Sequence, residues 1–196
     1  MKDLPWLLAA LALLGSCVFR GGDPPRFYEP DSAALHGAVG DRPAAAAAAR
    51  VAVRLRRVRS AAFFRERIVW RGSEVEYGFY EERRWNDLPA HYVERALVAQ
   101  LGETPGLRLT DDPRAAALYV DVVAFEEVLD PVHAADVRLA VSLRGGRRGD
   151  LLERTFSARV GIADGDPASL ARAMGRALDD VVAQVAEGLA ASVRAR

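Results

Sequence analysis

The chain has one cysteine, Cys17, and one lysine, Lys2, in 196 residues. A single thiol makes no intramolecular disulfide, so the fold carries no covalent staple. With lysine absent after residue 2, arginine supplies nearly all the basic charge, a bias we read as that of a GC-rich genome. The 27 basic and 27 acidic residues cancel, so no global field draws the protein to nucleic acid. Only three histidines occur, His36, His91 and His133, and no two have metal-ligand spacing. There is no nucleophile elbow, P-loop or dinucleotide fingerprint. No apolar run reaches the roughly 20 residues of a membrane span. These absences exclude the common catalytic, cofactor and metal chemistries and leave an interaction or structural role.

What is present begins with the lone cysteine. Lys2 precedes an apolar stretch from Leu4 to Leu14, broken only at Pro5. This length suits a signal-peptide core of roughly 7–15 residues. Gly15 and Ser16 are small enough for a protease's narrow subsites. The run Leu14-Gly15-Ser16-Cys17 is similar to a bacterial lipobox, in which the chain is cut between Ser16 and Cys17 and the thiol and new amine are acylated. The other readings are an ordinary secretory leader with an incidental cysteine, or a short buried helix. One acyl chain binds a membrane only marginally, whereas several hold it firmly. Val18 stands where inner-membrane lipoproteins commonly carry Asp, which favours the outer membrane.

The pattern divides the chain into a signal peptide (1–16), a lipidated cysteine with a flexible tether (17–50) and one domain (51–196). Residues 18–50 are rich in Gly, Pro and Ala and bury too little apolar surface to offset ordering; Phe27 and Tyr28 are the exception, able to pack on the domain. From Val51 the sequence alternates as a half-buried strand does, with Val51, Val53 and Leu55 on one face. "ERIVW" and "EVEYGFY" read as a hairpin around Gly72-Ser73, with Val75, Tyr77 and Phe79 sharing a face. Asp87 as N-cap and Pro89 in the first turn predict a helix to about Leu101, ended by Gly102.

Then come a short strand at "GLRLT", a longer central strand at "AALYVDVVAF", and alternating strands at "DVRLAVSL" and "LLERTFSARV" joined through "RGGRRGD". Asp166-Pro167 opens a last helix of about 25 residues, whose apolar stripe is Leu170, Met174, Leu178, Val181, Val185 and Leu189. The predicted fold class is α+β: a mostly antiparallel sheet, one mid-chain helix, and one long C-terminal helix packed on the sheet.

No catalytic constellation emerges. His91 reads as a helix-surface residue, Asp111-Asp112-Pro113 as a turn, and Glu126-Glu127 as a solvated strand end. "RGGRRG" looks like an Arg-Gly box but sits between strands, where a turn is favoured. The arginines Arg54, Arg56, Arg57 and Arg59 read as a solvated face, with lipid-phosphate binding as the alternative. Aromatic residues beside charge are the main feature: Phe63, Phe64, Trp70, Tyr77, Phe79, Tyr80 and Trp85. Of these, Trp70, Tyr80 and Trp85 are candidate partner contacts, since Trp, Tyr and Arg dominate interface hot spots. For Trp85, just ahead of a helix, a place in the core is the competing reading.

The stretch "FFRERIVWRGSEVEYGFYEERRWNDLPAHYVERALVAQL" resembles the ABC-type transport auxiliary lipoprotein family, the PqiC-like proteins. The resemblance rests on an ordered set. Ile68 to Arg71 match "I-x-x-R", Glu74 to Tyr77 match "E-V-x-Y", and Trp85 precedes a helix carrying Ala96-Leu97 and Leu101. Pro24 to Tyr28 match an upstream "Pro-Pro-x-x-Tyr", with Pro30 standing where Leu is common.

The resemblance implies a non-enzymatic outer-membrane lipoprotein serving an ABC/MCE machine that moves lipid between membranes. Its partner would be an MCE-domain protein, with the lipid anchor in the membrane and a homo-oligomer matching the partner's symmetry. From the residues themselves no cofactor, metal or nucleic-acid partner is expected. The other function weighed is a structural envelope lipoprotein that assembles or plugs another outer-membrane complex, of the lipopolysaccharide-export type.

Overall fold

The computed structural model describes residues 24–37, 51–145 and 149–194. The leader, Cys17 with its cleavage point after Ser16, most of the tether, and Gly146 to Arg148 of the Arg-Gly turn lie outside the described residues. The described residues form a nine-stranded mixed sheet with helices on one face. The α+β class follows: the long ladders are antiparallel, and a mid-chain helix and a long C-terminal helix accompany them.

The organising element is β7, Ala116–Val128. One of its edges is shared in turn by three short parallel strands: β2 (Val51–Leu55), β3 (Arg59–Ser60) and β4 (Arg67–Arg71). Its other edge pairs antiparallel with β8 (Ala134–Arg144), which pairs antiparallel with β9 (Asp150–Gly161). β5 (Tyr77–Trp85) forms a hairpin with β4, and β1 (Arg26–Tyr28) lies parallel to the end of β5. β6 (Leu107–Leu109) adds to β2. β7 is paired along both edges, the central place that its sequence predicts.

Of the helices, α1 (Ala33–His36) is a single turn, α2 is Pro89–Glu103 and α3 is Pro167–Arg194. The predicted stripe of α3 is fully buried against β8 and β9, where it meets Val137, Leu139, Val141 and Leu143 of the alternating β8. The Asp166 carboxylate accepts from the Ala168 amide at 3.1 Å, the cap expected of Asp before Pro. Among the described residues no helix is long and apolar enough to cross a membrane.

The start of α2 differs from the expected Asp87 cap. Leu88 is the N-cap and has no side-chain bond. Asp87 instead accepts from the Leu88 amide at 2.7 Å and from His91 Nδ1 at 2.7 Å. The Tyr92 hydroxyl closes the turn by accepting from the Asp87 amide at 2.9 Å and donating to Asn86. Burial alone would raise the Asp87 carboxyl, but His91, the Leu88 amide and Arg95 together hold it below the usual carboxylate range. The helix also runs through Gly102 to Glu103, and the Thr104 hydroxyl donates to the Gln100 carbonyl at 2.7 Å just beyond its end.

Part of the segment read as tether lies on the domain. β1 aligns Tyr28 with Trp85, while Phe27 remains exposed. Ser32 is buried, its hydroxyl donating to Asp179 on α3 at 2.6 Å. Asp179 also accepts from the Ala33 and Ala34 amides at 2.8 and 3.1 Å, so a carboxylate from a distant helix caps α1. The approach depends on Gly175, where a Cβ would sit 1.9 Å from the Asp31 carbonyl oxygen. Gly175→Ala should therefore push residues 30–36 off α3. We expect a loss of about 1–3 kcal/mol in urea unfolding despite the better helix former. We also expect faster proteolysis within residues 30–36; an unchanged or stabilised protein would show that this docking contributes nothing.

Candidate functional site

The β4–β5 hairpin carries most of the aromatic residues, and the two faces of the hairpin do different things. Alternation and the register place Trp70 and Tyr80 on one face, with Trp70 level with Gly78 and Glu127. The Trp70 indole lies over Gly78, where a Cβ would meet the ring at 2.1 Å. Tyr80 is half-buried, with the Arg83 guanidinium 4.4 Å above its ring. Burial, with the Glu127 carboxylate beside it, pushes the Tyr80 hydroxyl up to about 12.

The other face bears an exposed cluster. Phe63, Tyr77 and Phe79 are 38%, 43% and 40% exposed. Phe63 sits edge-on to Tyr77 and to Phe79, with centroids 5.9 and 6.4 Å apart, and stacks on the buried Phe64 at 4.2 Å. The expectation that Val75, Tyr77 and Phe79 share a strand face fails at Val75. β5 begins only at Tyr77, and Val75 is 90% exposed in the connecting turn.

Beneath this cluster lies a row of buried charge. Glu126 has no exposed surface; its Oε1 accepts from Arg71 Nε at 2.6 Å and lies 3.5 Å from Arg138. Arg138 and Arg159 both reach the buried Asp136, at 3.4 and 2.8 Å. The Arg71 guanidinium also stacks 4.2 Å above the Tyr77 ring. One arginine thus links a buried carboxylate to a surface aromatic.

Two sequence-based expectations need correction, and a third holds for most of its residues. Glu126-Glu127 is not a solvated strand end: β7 continues to Val128, held between β4 and β8, so both carboxylates are interior. Glu127 faces the other way and binds His133 Nε2 at 2.5 Å. Trp85 is 1% exposed and packs edge-on to Phe125 and Tyr92, with centroids 5.6 and 6.3 Å apart; it is core and unavailable to a partner. The arginine face is largely as expected: Arg56, Arg57 and Arg59 are exposed and Arg54 is half-buried. Val58 is buried, and Arg59 makes two bonds to Asp121, at 2.8 and 3.0 Å.

Trp70 and Tyr80 do lie together, but Phe63, Tyr77 and Phe79 form the more exposed group. Alternation had set Tyr77 and Phe79 on one strand face, but that this face stays exposed and that Phe63 joins it are decided by packing. The Asp111-Asp112 turn is as expected, with Asp112 accepting from the Arg114 amide at 2.9 Å. Among the described residues, no three His, Cys, Asp or Glu side chains gather as a metal site would require.

Residues 35–186 match the model of a family described as "ABC-type transport auxiliary lipoprotein component". The fold is similar to the crystal structure of protein XCC0632 from Xanthomonas campestris, with a TM-score of 0.70 at 18% identity over 87% of this chain and 98% of that one. A second crystal structure, of an uncharacterized protein, has a TM-score of 0.60 at 15% identity over 87% of this chain and 99% of that one. At these identities the likeness is one of fold. No curated protein matches the chain.

Proposed function

Because this chain belongs to the ABC-type transport auxiliary lipoprotein family, we propose that it is the non-enzymatic accessory subunit of an ABC/MCE-type intermembrane lipid-transport system. Acyl groups on Cys17 hold it to the periplasmic face of the outer membrane, and residues between Cys17 and the domain act as a tether. A protein fixed in one membrane assists lipid across the periplasm only by meeting something that bridges it. The domain works by docking on the MCE-domain partner.

The observation that carries the docking part of this reading is the Phe63–Tyr77–Phe79 cluster. Solvent-exposed aromatics with the Arg71 guanidinium over one of the rings have the make-up of an interface hot spot. Trp70 and Tyr80, on the opposite face of the hairpin, are secondary contacts.

The test is co-purification from membranes. The variant Phe63→Ala/Tyr77→Ala/Phe79→Ala should lose about 2–4 kcal/mol of stability, since each ring gives up buried area as well as its ring–ring contacts, and it is compared with the wild type at equal folded amount. It should still fractionate with the outer membrane but lose the MCE partner. A stable variant that retains the partner would remove this cluster from the interface, and a mature N-terminus with an unmodified Cys17 would remove the anchor.

A further inference from the structure

Three turns meet at one end of the sheet: residues 72–76 between β4 and β5, 129–133 between β7 and β8, and 162–166 between β9 and α3. The first two adjoin, since the Leu129 amide donates to the Arg71 carbonyl at 2.9 Å. They hold apolar side chains in water. Val75 is almost fully exposed, Val132 is 61% and Leu129 41% exposed, and Pro131 is exposed between the last two. At the opposite end of β7 the connection from β6 reads Thr-Asp-Asp-Pro-Arg-Ala and exposes no large apolar side chain. A lone exposed valine needs no explanation, but three such side chains on two adjoining turns make a patch.

The chain enters the domain from this same end. β1 runs parallel to β5 with Arg26 level with Arg83, so Pro24 and Pro25 head toward the start of β5 at Tyr77, beside the 72–76 turn. From Arg83 back to Tyr77 is about 20 Å of strand at most. Arg26 stands nine positions after Cys17, a reach of about 30 Å. An anchor at Cys17 therefore reaches past the Val75–Leu129–Val132 end. The rim of the patch is acidic: Glu74, Glu76 and Asp130 are all exposed. It suits a bilayer surface without net negative charge, where ammonium headgroups meet the carboxylates.

We propose that the Val75–Leu129–Val132 end of the sheet is a second membrane contact, its apolar side chains entering the acyl-chain boundary of a zwitterionic, ethanolamine-bearing leaflet. It rests on the anchor at Cys17 and adds to it: acyl groups hold the chain to the membrane, and the turns fix which end of the domain faces it. The Phe63–Tyr77–Phe79 cluster is on the outer face of the sheet, not at its end, so the two surfaces are distinct.

Two measurements test it. In the first, the full chain carrying Cys17→Ser, which has no acyl group, is partitioned onto vesicles of phosphatidylethanolamine and phosphatidylcholine. Adding Val75→Ser/Val132→Ser should weaken partition at least fivefold; the leader is common to both proteins and cancels. Both valines are mostly exposed, so the urea midpoint should not move. Val98→Ser, at an exposed valine of α2, should leave partition unchanged. In the second, the lipidated protein sits in vesicles with brominated acyl chains. Val132→Trp should gain fluorescence quenching over the wild type, and Val98→Trp should not. Partition indifferent to Val75→Ser/Val132→Ser overturns the proposal, as does quenching at Val98→Trp equal to that at Val132→Trp. Turns shielded only when the proposed protein partner is added would make this end a protein contact and also overturn it. An unmodified Cys17 in the mature chain removes the anchor alone, because the partition comparison involves no acyl group.

Discussion

Trp85→Ala should cost the domain about 3–5 kcal/mol, the range for truncating a fully buried large aromatic. Trp85 fills the space between the β5 end, Tyr92 on α2 and Phe125 on β7, and each of those rings meets it edge-on. Removing it leaves Tyr92 and Phe125, themselves stacked with centroids 6.2 Å apart, without their third partner. The loss should appear as a lower urea midpoint with unchanged slope, and the turn at Asn86-Asp87 should loosen, because the Tyr92 hydroxyl bonds both. Loss of the proposed partner from a fully stable Trp85→Ala protein would show instead that this tryptophan is a contact.

Glu126→Gln ranks second. Removing one member of a buried ion pair typically costs about 3–5 kcal/mol, since the remaining charge stays uncompensated. Here Arg71 and Arg138 keep 19% and 34% of their side-chain surface exposed, so both retain some water, and the lower end of that range is expected. Arg71→Gln in the same background should recover part of the loss. A coupling of about 1–3 kcal/mol in the double-mutant cycle is the expected result. Additivity within error would mean that the 2.6 Å Arg71–Glu126 contact contributes little. The pair also supports the proposed docking cluster, because Arg71 stacks on Tyr77. Partner binding should therefore weaken in Glu126→Gln, although Glu126 itself is out of reach of any partner.

The row from Arg71 through Glu126, Arg138 and Asp136 to Arg159 has a structural reading beyond stability. Buried charge specifies register, because a slip of one residue on β7 or β8 would strand each carboxylate among apolar neighbours. In this respect the outer face of the sheet is organised by polar pairing, whereas the inner face is organised by apolar packing under α2 and α3.

The sequence by itself determined whatever depends on neighbours within a few residues. Alternation in Val137, Leu139, Val141 and Leu143 defined the buried face of β8, and the 3.6-residue recurrence from Leu170 to Leu189 defined the buried stripe of α3. The Asp166-Pro167 start and the central place of β7 were legible for the same reason. The ordered motifs around Ile68, Tyr77 and Trp85 were enough to point to the family. Tertiary structure alone decided which aromatics are exposed, why Glu126 and Glu127 are interior, and why α3 tolerates Gly175 and Gly188. At Gly188 the Phe156 ring would lie 2.7 Å from a Cβ, as the Asp31 carbonyl would crowd one at Gly175. It also decided that residues 26–36 lie on the domain, through an aspartate more than 140 positions away. Burial and pairing of these groups are set by strands and helices far off in the chain, and local periodicity holds no record of which distant surface arrives to cover them.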